Sequence, residues 1–172
     1  MERVMHVTVV TAVLLSVGIL NAVSAQSHNI ELQSVCDDFS RVSCGDGWTH
    51  IDATRCVKYF QTPKSFDDAE EYCNTTGGAI VTFHSPTQMM RATCVTLHDN
   101  PEPELFWIGV IRSGEGFTYT DGSEFKNSNW YPGQPDNAGG QENCVEMNYK
   151  DWGLWNDANC AEKNNFMCIK TM

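Results

Sequence analysis

The chain has 172 residues, with 22 acidic and 11 basic side chains and a formal net charge of −11 at pH 7. This length fits one domain together with a short additional segment. So acidic a chain would be repelled by nucleic acid and by anionic membrane surfaces, and neither is expected as a partner.

The first 25 residues have the pattern of a secretory signal. Arg3 lies in a short polar start, residues 7–20 are nearly all apolar, and Val-Ser-Ala at 23–25 fits a signal-peptidase site. The apolar run is too short for a membrane span, and no later stretch is apolar enough to be one. We expect a signal peptide over residues 1–25 and a secreted, extracellular chain that begins near Gln26.

All eight cysteines follow this segment, and an even number behind a signal sequence indicates disulfides. Zinc is the alternative, but the chain has no Cys-x-x-Cys pair and its histidines are scattered. Spacing alone leaves the pairing open among the cysteines, which are Cys36, Cys44, Cys56, Cys73, Cys94, Cys144, Cys160 and Cys168.

The first half of the chain is predicted to hold a hairpin and two helices. Residues 26–43 are polar and weakly patterned, which predicts a mobile extension. Residues 44–60 alternate apolar and polar side chains, as a hairpin does. Ser65 is a candidate N-cap for a helix that ends at Gly77. After a short buried strand at 79–83, Ser-Pro-Thr-Gln at 85–88 forms a capping box for a second helix.

The second half is predicted to be all β, with one long loop. Residues 127–141 are rich in glycine, proline and asparagine and lack any period. A loop of this length in a compact domain usually carries function. Short strands are expected at 106–110, 117–120, 144–147, 154–155 and 166–168.

Oxygen-bearing side chains concentrate in and after this loop, without histidine or free thiol. Such hard ligands suit Ca²⁺, and a backbone carbonyl such as that of Asp157, with solvent or ligand oxygens, could complete the shell. Each residue alone is most simply a polar loop residue, but the set together favours a calcium site. The candidate metal ligands are Gln134, Asp136, Glu142, Asn156 and Asp157.

Four short motifs follow one another in a fixed order: Trp-Ile-Gly at 107–109, Gln-Pro-Asp at 134–136, Glu-Asn-Cys-Val at 142–145 and Trp-Asn-Asp at 155–157. This order resembles the C-type lectin domain. The resemblance covers residues 44–172. It implies an α+β fold with two helices, small antiparallel sheets and a long calcium-binding loop, stapled by disulfides.

The resemblance also implies a disulfide framework. Cys36 and Cys94 are left over, and they either pair with each other or bridge to a second chain. Separately, Asn74 begins an Asn-Thr-Thr acceptor sequence for N-glycosylation. The implied bridges are Cys44–Cys56, Cys73–Cys168 and Cys144–Cys160.

In that family the proline of Gln-Pro-Asp is cis, and two vicinal sugar hydroxyls coordinate the ion while bonding to amides and carboxylates. The five metal ligands are therefore also the candidate sugar-binding residues. Gln-Pro-Asp resembles the galactose-preferring variant, but residues 137–140 lack the aromatic that stacks on galactose. Trp152 or Tyr149 could stack instead, with a core role as the alternative.

A second calcium site of the family would use Glu142 and Asn143 with acids upstream. Arg112 and Ser113 stand where an acid is expected, which argues against that site.

The expected function is calcium-dependent binding of glycans with terminal galactose, among them microbial surface polysaccharide. The resemblance implies an innate-immune lectin that agglutinates microbes, and an oligomer would suit that role. The alternative is a C-type lectin-like domain that binds a protein or another non-sugar ligand. An enzyme is not expected, because hydrolase motifs are missing and no histidine lies near the acidic cluster.

Overall fold

The computed structural model describes residues 30–39 and 42–172, so the predicted signal peptide lies outside the described residues. The chain divides into two compact units, Met1–Ser40 and Arg41–Met172. Within the described residues, no helix combines the length and apolar character needed to cross a membrane.

The first unit contains a helix, α1, at residues 30–37. The sequence predicted two helices, and α1 is a third in addition to them. The predicted mobility of residues 26–43 stays a prediction. Leu32 and Cys36 are both buried and stand four residues apart, a spacing that places them on one helical face. Ile30 and Val35 in the same helix are apolar but exposed, so the apolar residues of this segment do not by themselves mark its buried face.

The second unit begins with the predicted hairpin. Strands β1 (Ser43–Gly45), β2 (Trp48–His50) and β3 (Arg55–Lys64) pair antiparallel in chain order. The turn between β1 and β2 has positive φ angles, 50° at Asp46 and 79° at Gly47.

Both predicted helices of this unit start at the predicted caps. The Ser65 hydroxyl accepts a hydrogen bond from the Asp68 N–H at the start of α2 (Phe66–Thr75). Ser85 does the same for the Gln88 N–H at the start of α3 (Pro86–Asp99). The side chain of Gln88 returns to the N–H of His84, one residue before the position of an ideal capping box.

The remaining strands are β4 (Ala79–Ile80), β5 (Phe106–Ser113), β6 (Gly116–Tyr119), β7 (Glu142–Met147), β8 (Trp155–Asn159) and β9 (Asn164–Thr171). One sheet holds all nine strands of the described residues, in the order β1-β2-β3-β9-β5-β7-β8, with β4 beside β9 and β6 beside β5. The resemblance implies small antiparallel sheets, and the structure joins the antiparallel pairs into one sheet through the parallel pairing of β5 with β9. The terminal strand β9 joins the two halves, since it lies antiparallel to β3 and parallel to β5.

Two apolar clusters and three of the disulfides hold this unit together. Trp155 lies in one cluster and Trp107 in the other, and both are fully buried. Gly109 is required by close packing, because a Cβ there would lie 2.8 Å from side-chain atoms of Thr82 and Thr120.

The three bridges implied by the resemblance are all present. One links the β1–β3 hairpin, one links α2 to β9, and one closes the segment from β7 to just after β8. No cysteine of the described residues is free, and the pairing of Cys36 and Cys94 stays a prediction. The three bridges are Cys44–Cys56, Cys73–Cys168 and Cys144–Cys160.

Candidate functional site

The long loop between β6 and β7 is fixed beside the start of β8. The Trp155 N–H donates to the Asn129 carbonyl at 2.8 Å, and the Tyr131 N–H donates to the Trp155 carbonyl at 2.9 Å. The Trp130 ring packs against the buried Trp155 ring, with 5.8 Å between centroids. These contacts set the position from which the following residues approach β8.

The Gln-Pro-Asp segment leaves this anchor through a turn. The Gln134 N–H donates to the Tyr131 carbonyl at 2.9 Å, and the Gln134–Pro135 peptide is cis, as the resemblance implies. The Gln134 side-chain oxygen accepts a hydrogen bond from the Asp136 N–H at 3.0 Å. The side chain of Gln134 therefore lies against the backbone of the acidic residue two positions on.

Three carboxylates meet where the loop faces the paired ends of β7 and β8. Oxygen atoms of Asp136, Glu142 and Asp157 lie within 4.8 Å of one another. Asp136 is exposed, Glu142 is partly buried and Asp157 is fully buried. The sequence predicted all three, although they come from a loop, the start of one strand and the middle of another.

Asp157 is the most firmly held of the three. One of its oxygens accepts from the Asp136 N–H at 3.0 Å. The other accepts from the Asn137 N–H at 2.9 Å and from Arg112 Nη2 at 2.6 Å. A buried carboxylate needs such partners, because removal from water disfavours its charged form.

Glu142 closes the loop back onto itself. Its carboxylate accepts from the Ala138 N–H at 2.6 Å, and its own N–H donates to Asn137 Oδ1 at 3.0 Å. Burial raises the pKa of the Glu142 carboxyl, and the negative charges of Asp157 and Asp136 raise it further, although the Ala138 N–H opposes them. A cation at this point would relieve the mutual repulsion of the three groups.

Asn156, the remaining predicted ligand, has a partner that the sequence analysis missed. Its amide nitrogen donates to Glu146 Oε1 at 2.9 Å, and Asn164 donates to Glu146 Oε2 at 2.6 Å. Glu146 is 2% exposed, and burial raises its pKa against the lowering effect of the two amide donors. The Asn156 amide gives one of its two N–H groups to Glu146, which leaves its oxygen for a cation and its second N–H for another acceptor.

Arg112 stands near the three carboxylates, where the resemblance would place an acid of a second calcium site. Besides its contact with Asp157, it donates from Nε to the Glu142 carbonyl at 2.9 Å. Its guanidinium also lies 4.6 Å from the centroid of the Phe117 ring. A fixed positive charge therefore occupies this side of the site, and the absence of a second ion there stays a prediction.

The two aromatic candidates for stacking differ in exposure. Trp152 is only 7% exposed, so its ring has little surface to offer a sugar, and we do not retain it as a binding residue. Tyr149 is partly exposed and packs edge-on against Tyr131, with 5.5 Å between ring centroids. The core alternative therefore applies to Trp152, and the sequence could not reveal which of the two rings is covered.

The donors at this site fit calcium better than a softer metal. Carboxylate and amide oxygens dominate, and neither imidazole nor thiolate is among the three clustered ligands. The other group of metal-ligating residue types among the described residues is Cys44, His50 and Cys56, and its two cysteines are joined in a disulfide.

Comparison with known proteins agrees with this geometry. Residues 62–170 match the family model of the lectin C-type domain. The chain is 45% identical over 134 residues to C-type isolectin Sp-CL4 of Scorpaena plumieri, covering 77% of this chain and 92% of that protein. It is 32% identical over 133 residues to the galactose-specific lectin nattectin of Thalassophryne nattereri, covering 76% of this chain and 82% of that protein.

A solved structure extends the comparison to the fold. The carbohydrate-recognition domain of the mouse scavenger receptor C-type lectin superimposes with a TM-score of 0.66 at 29% identity. The match covers 75% of this chain and 98% of that domain.

Proposed function

The chain belongs to the C-type lectin family, and on that basis we propose that it is a secreted lectin that binds galactose-type sugars through a calcium ion. The family consists of lectins rather than enzymes. The observation that carries the proposal is the meeting of the Asp136, Glu142 and Asp157 carboxylates next to Gln134.

Each ligand residue has a distinct role in this proposal. Asp136, Glu142 and Asp157 supply the negative charge, while Gln134 and Asn156 supply neutral amide oxygens. When bound, the ion would provide Lewis-acid coordination for two neighbouring sugar hydroxyls. The same hydroxyls would accept hydrogen bonds from the two amides and donate to the carboxylates, which makes recognition depend on the order of donors and acceptors.

The preference for galactose is supported by that order. In Gln134-Pro135-Asp136 the amide precedes the carboxylate, and the relative nattectin is named a galactose-specific lectin. Residues 137–140 contain no aromatic ring, so hydrogen bonding rather than stacking should supply most of the preference.

Secretion and a role in recognising microbes are part of the same proposal. Disulfides persist mainly in oxidising compartments, and the described residues contain three bridges within the lectin domain. Agglutination of microbes would in addition need at least two sugar-binding sites in one lectin assembly, so that the assembly bridges two cells, and hence an oligomer.

An exchange of the amide and carboxylate tests the proposal. The double variant Gln134→Glu, Asp136→Asn keeps the net charge and nearly the same shape, so calcium affinity should change little. Each mismatched hydrogen bond costs about 1–3 kcal/mol, so preference should move from galactose toward mannose by about tenfold or more. Competition by the two free sugars against one immobilised glycan, at saturating calcium, measures the ranking.

The single variant Asp136→Glu, with Pro135 unchanged, is the control for disturbance of the loop, because it keeps the order of amide and carboxylate. An unchanged ranking in the double variant, with fold and calcium binding intact, means that the sugar is recognised elsewhere or not at all.

A further inference from the structure

An exposed lysine lies over two tyrosine rings beside the Gln-Pro-Asp turn. The Lys150 ammonium is 4.9 Å from the centroid of the Tyr131 ring and 4.8 Å from that of Tyr149. Lys150 is exposed and both rings are partly exposed. Among the ion pairs found between described residues, none involves Lys150. The group of Tyr131, Tyr149 and Lys150 is called the tyrosine–lysine cluster below.

The cluster is attached to the candidate site from two sides. Tyr131 begins the turn that carries Gln134, and its N–H bonds to the Trp155 carbonyl, one residue before Asn156. The Tyr149 N–H donates to the Leu154 carbonyl and so closes the hairpin between β7 and β8. The cluster is thus built from the same loop and the same hairpin that hold the three carboxylates.

The chemistry of the cluster suits an anion held next to a sugar ring. The faces of the aromatic rings attract the ammonium and restrict where it lies. A lysine ammonium has three N–H donors and no acceptor, and neither ring contact uses a donor in a conventional hydrogen bond. The exposed ring surface of the tyrosines can pack against the apolar face of a saccharide.

The surrounding charge makes this lysine selective rather than generally attractive. The chain has a net charge of −11, so an anionic ligand would be repelled over much of the surface. An acidic group on a bound sugar would therefore gain affinity where it lies close to Lys150, whereas a neutral sugar would gain no affinity from this charge.

We propose that the tyrosine–lysine cluster is an accessory site that accepts an anionic substituent, a sulfate or a carboxylate, on a galactose-containing glycan held at the calcium site. This inference rests on the proposed function, because the galactose residue supplies the anchoring contact. The calcium site would select the terminal sugar, and the cluster would select glycans that also carry a negative charge.

The test compares three soluble sugars with the full chain at saturating calcium: lactose, lactose sulfated at C6 of galactose, and lactose sialylated at the same position. Substitution at C6 leaves the neighbouring ring hydroxyls of galactose free. We expect one or both acidic sugars to bind about threefold to tenfold more tightly than lactose at low salt. The gain should shrink as salt is raised from about 0.02 to about 0.5 M, because exposed charges are screened.

Variants assign that gain to the cluster. Lys150→Gln should lose the preference for acidic sugars while its affinity for lactose stays unchanged, and Lys150→Arg should keep the preference. Lys126→Gln is the matched control, because Lys126 is also exposed but is paired with Glu124 at 2.6 Å. It should behave like the unchanged protein.

The outcomes separate the two proposals. A gain for one acidic sugar alone identifies whether sulfate or carboxylate is the ligand. Equal binding of all three sugars, or a preference that survives in Lys150→Gln, overturns the accessory site and leaves the proposed function standing. Absence of calcium-dependent binding for every sugar overturns the proposed function, and the accessory site with it.

Discussion

At the residue scale, the site depends on how three like charges are kept together. Asp157 is fully buried and has three donors, two of them backbone N–H groups of the loop and the third Arg112. Glu142 has the Ala138 N–H but no cationic partner among the described residues. Asp136 is exposed to solvent, so Glu142 is the proposed ligand whose charge most needs a metal ion, and its replacement should affect calcium most directly.

Glu142→Gln should abolish both calcium-induced stabilisation and sugar binding. In the unchanged protein calcium should raise the free energy of unfolding by about 2.7 kcal/mol at about 100 times Kd. The amide keeps the shape of the side chain but removes one of three negative charges. Thermal unfolding with and without calcium measures the effect, and the exposed Glu115→Gln is the control. A shift equal to that of the unchanged protein would remove Glu142 from the ligand set.

Glu146 should act on calcium through Asn156. Glutamine at position 146 puts an NH2 donor in place of one carboxylate oxygen, so the Asn156 and Asn164 amides compete for the one oxygen that is left and the Asn156 amide loses its fixed orientation. Replacement of a partner that orients a ligand typically costs about 10–100-fold in metal affinity. We expect Glu146→Gln to weaken calcium binding by at least about tenfold, measured by titration calorimetry, with the fold retained.

The control for that variant is Glu102→Gln, at an exposed position before β5. If Glu146→Gln binds calcium as tightly as the unchanged protein, Asn156 does not depend on Glu146 for its orientation.

The sequence identified the carboxylates but not what surrounds them. Asp136, Glu142 and Asp157 could be predicted because oxygen ligands in a long loop and in recognisable motifs carry their own chemical signal. Glu146 lies in a strand in which every residue from Cys144 to Met147 is buried, and nothing local shows that two asparagines would reach it. The burial of Trp152 likewise could not be read from its neighbours in the sequence.

At the element scale, Asp52 ties the residues after β2 to the start of α3. Its carboxylate accepts from the backbone and hydroxyl of Thr54, from the backbone and Nε of Arg55, and from Gln88 Nε2 at 3.0 Å. Burial alone would raise the pKa of Asp52, but the hydrogen bonds from Thr54 and Arg55 outweigh it and lower the pKa from 3.8 to about 2.

The lowered pKa predicts a pH-dependent loss of stability. Because the folded chain holds the ionised form of Asp52 more strongly than the unfolded chain, the contribution is present above pH 3.8 and is lost as pH falls toward about 2. Asp52→Asn should therefore lower Tm at about pH 5 and differ little from the unchanged protein near pH 2. A difference in Tm that stays constant across this range would contradict the argument.

Helices of the second unit were predictable because their first residues carry a local signal. Ser65 and Ser85 use their hydroxyls in the way the capping pattern predicts, and proline stands at the first position of α3. Strands were less well defined, since the strand predicted at 79–83 pairs regularly only at Ala79–Ile80. The next residue instead bonds to two strands. The Val81 N–H donates to the Met167 carbonyl in β9, and the Val81 carbonyl accepts from the Gly109 N–H in β5.

At the scale of the whole molecule, the sheet brings the two ends of the domain together. Strand β9 lies between β3 and β5, and the Cys73–Cys168 bridge, which spans 95 residues in sequence, fixes it to α2. The long loop before β7 therefore extends from a sheet that these strand pairings and this bridge hold in place. The resemblance predicted the fold class correctly, but the single connected sheet depends on long-range pairing that no local pattern encodes.

The fold does not by itself decide the ligand, because one fold can carry different sites. In the proposed function, one calcium ion links the carboxylate site to the sugar. Linkage then requires that sugar and calcium strengthen each other's binding by the same factor. This reciprocity separates a bridging ion from an ion that only stabilises the loop.

Calcium affinity measured by titration calorimetry, with and without saturating galactose, is the most direct test. We expect galactose to lower the Kd for calcium, mannose to lower it less, and chelation of calcium to remove galactose binding. A calcium Kd that is the same with and without galactose, or galactose binding that survives chelation, would contradict the proposed function.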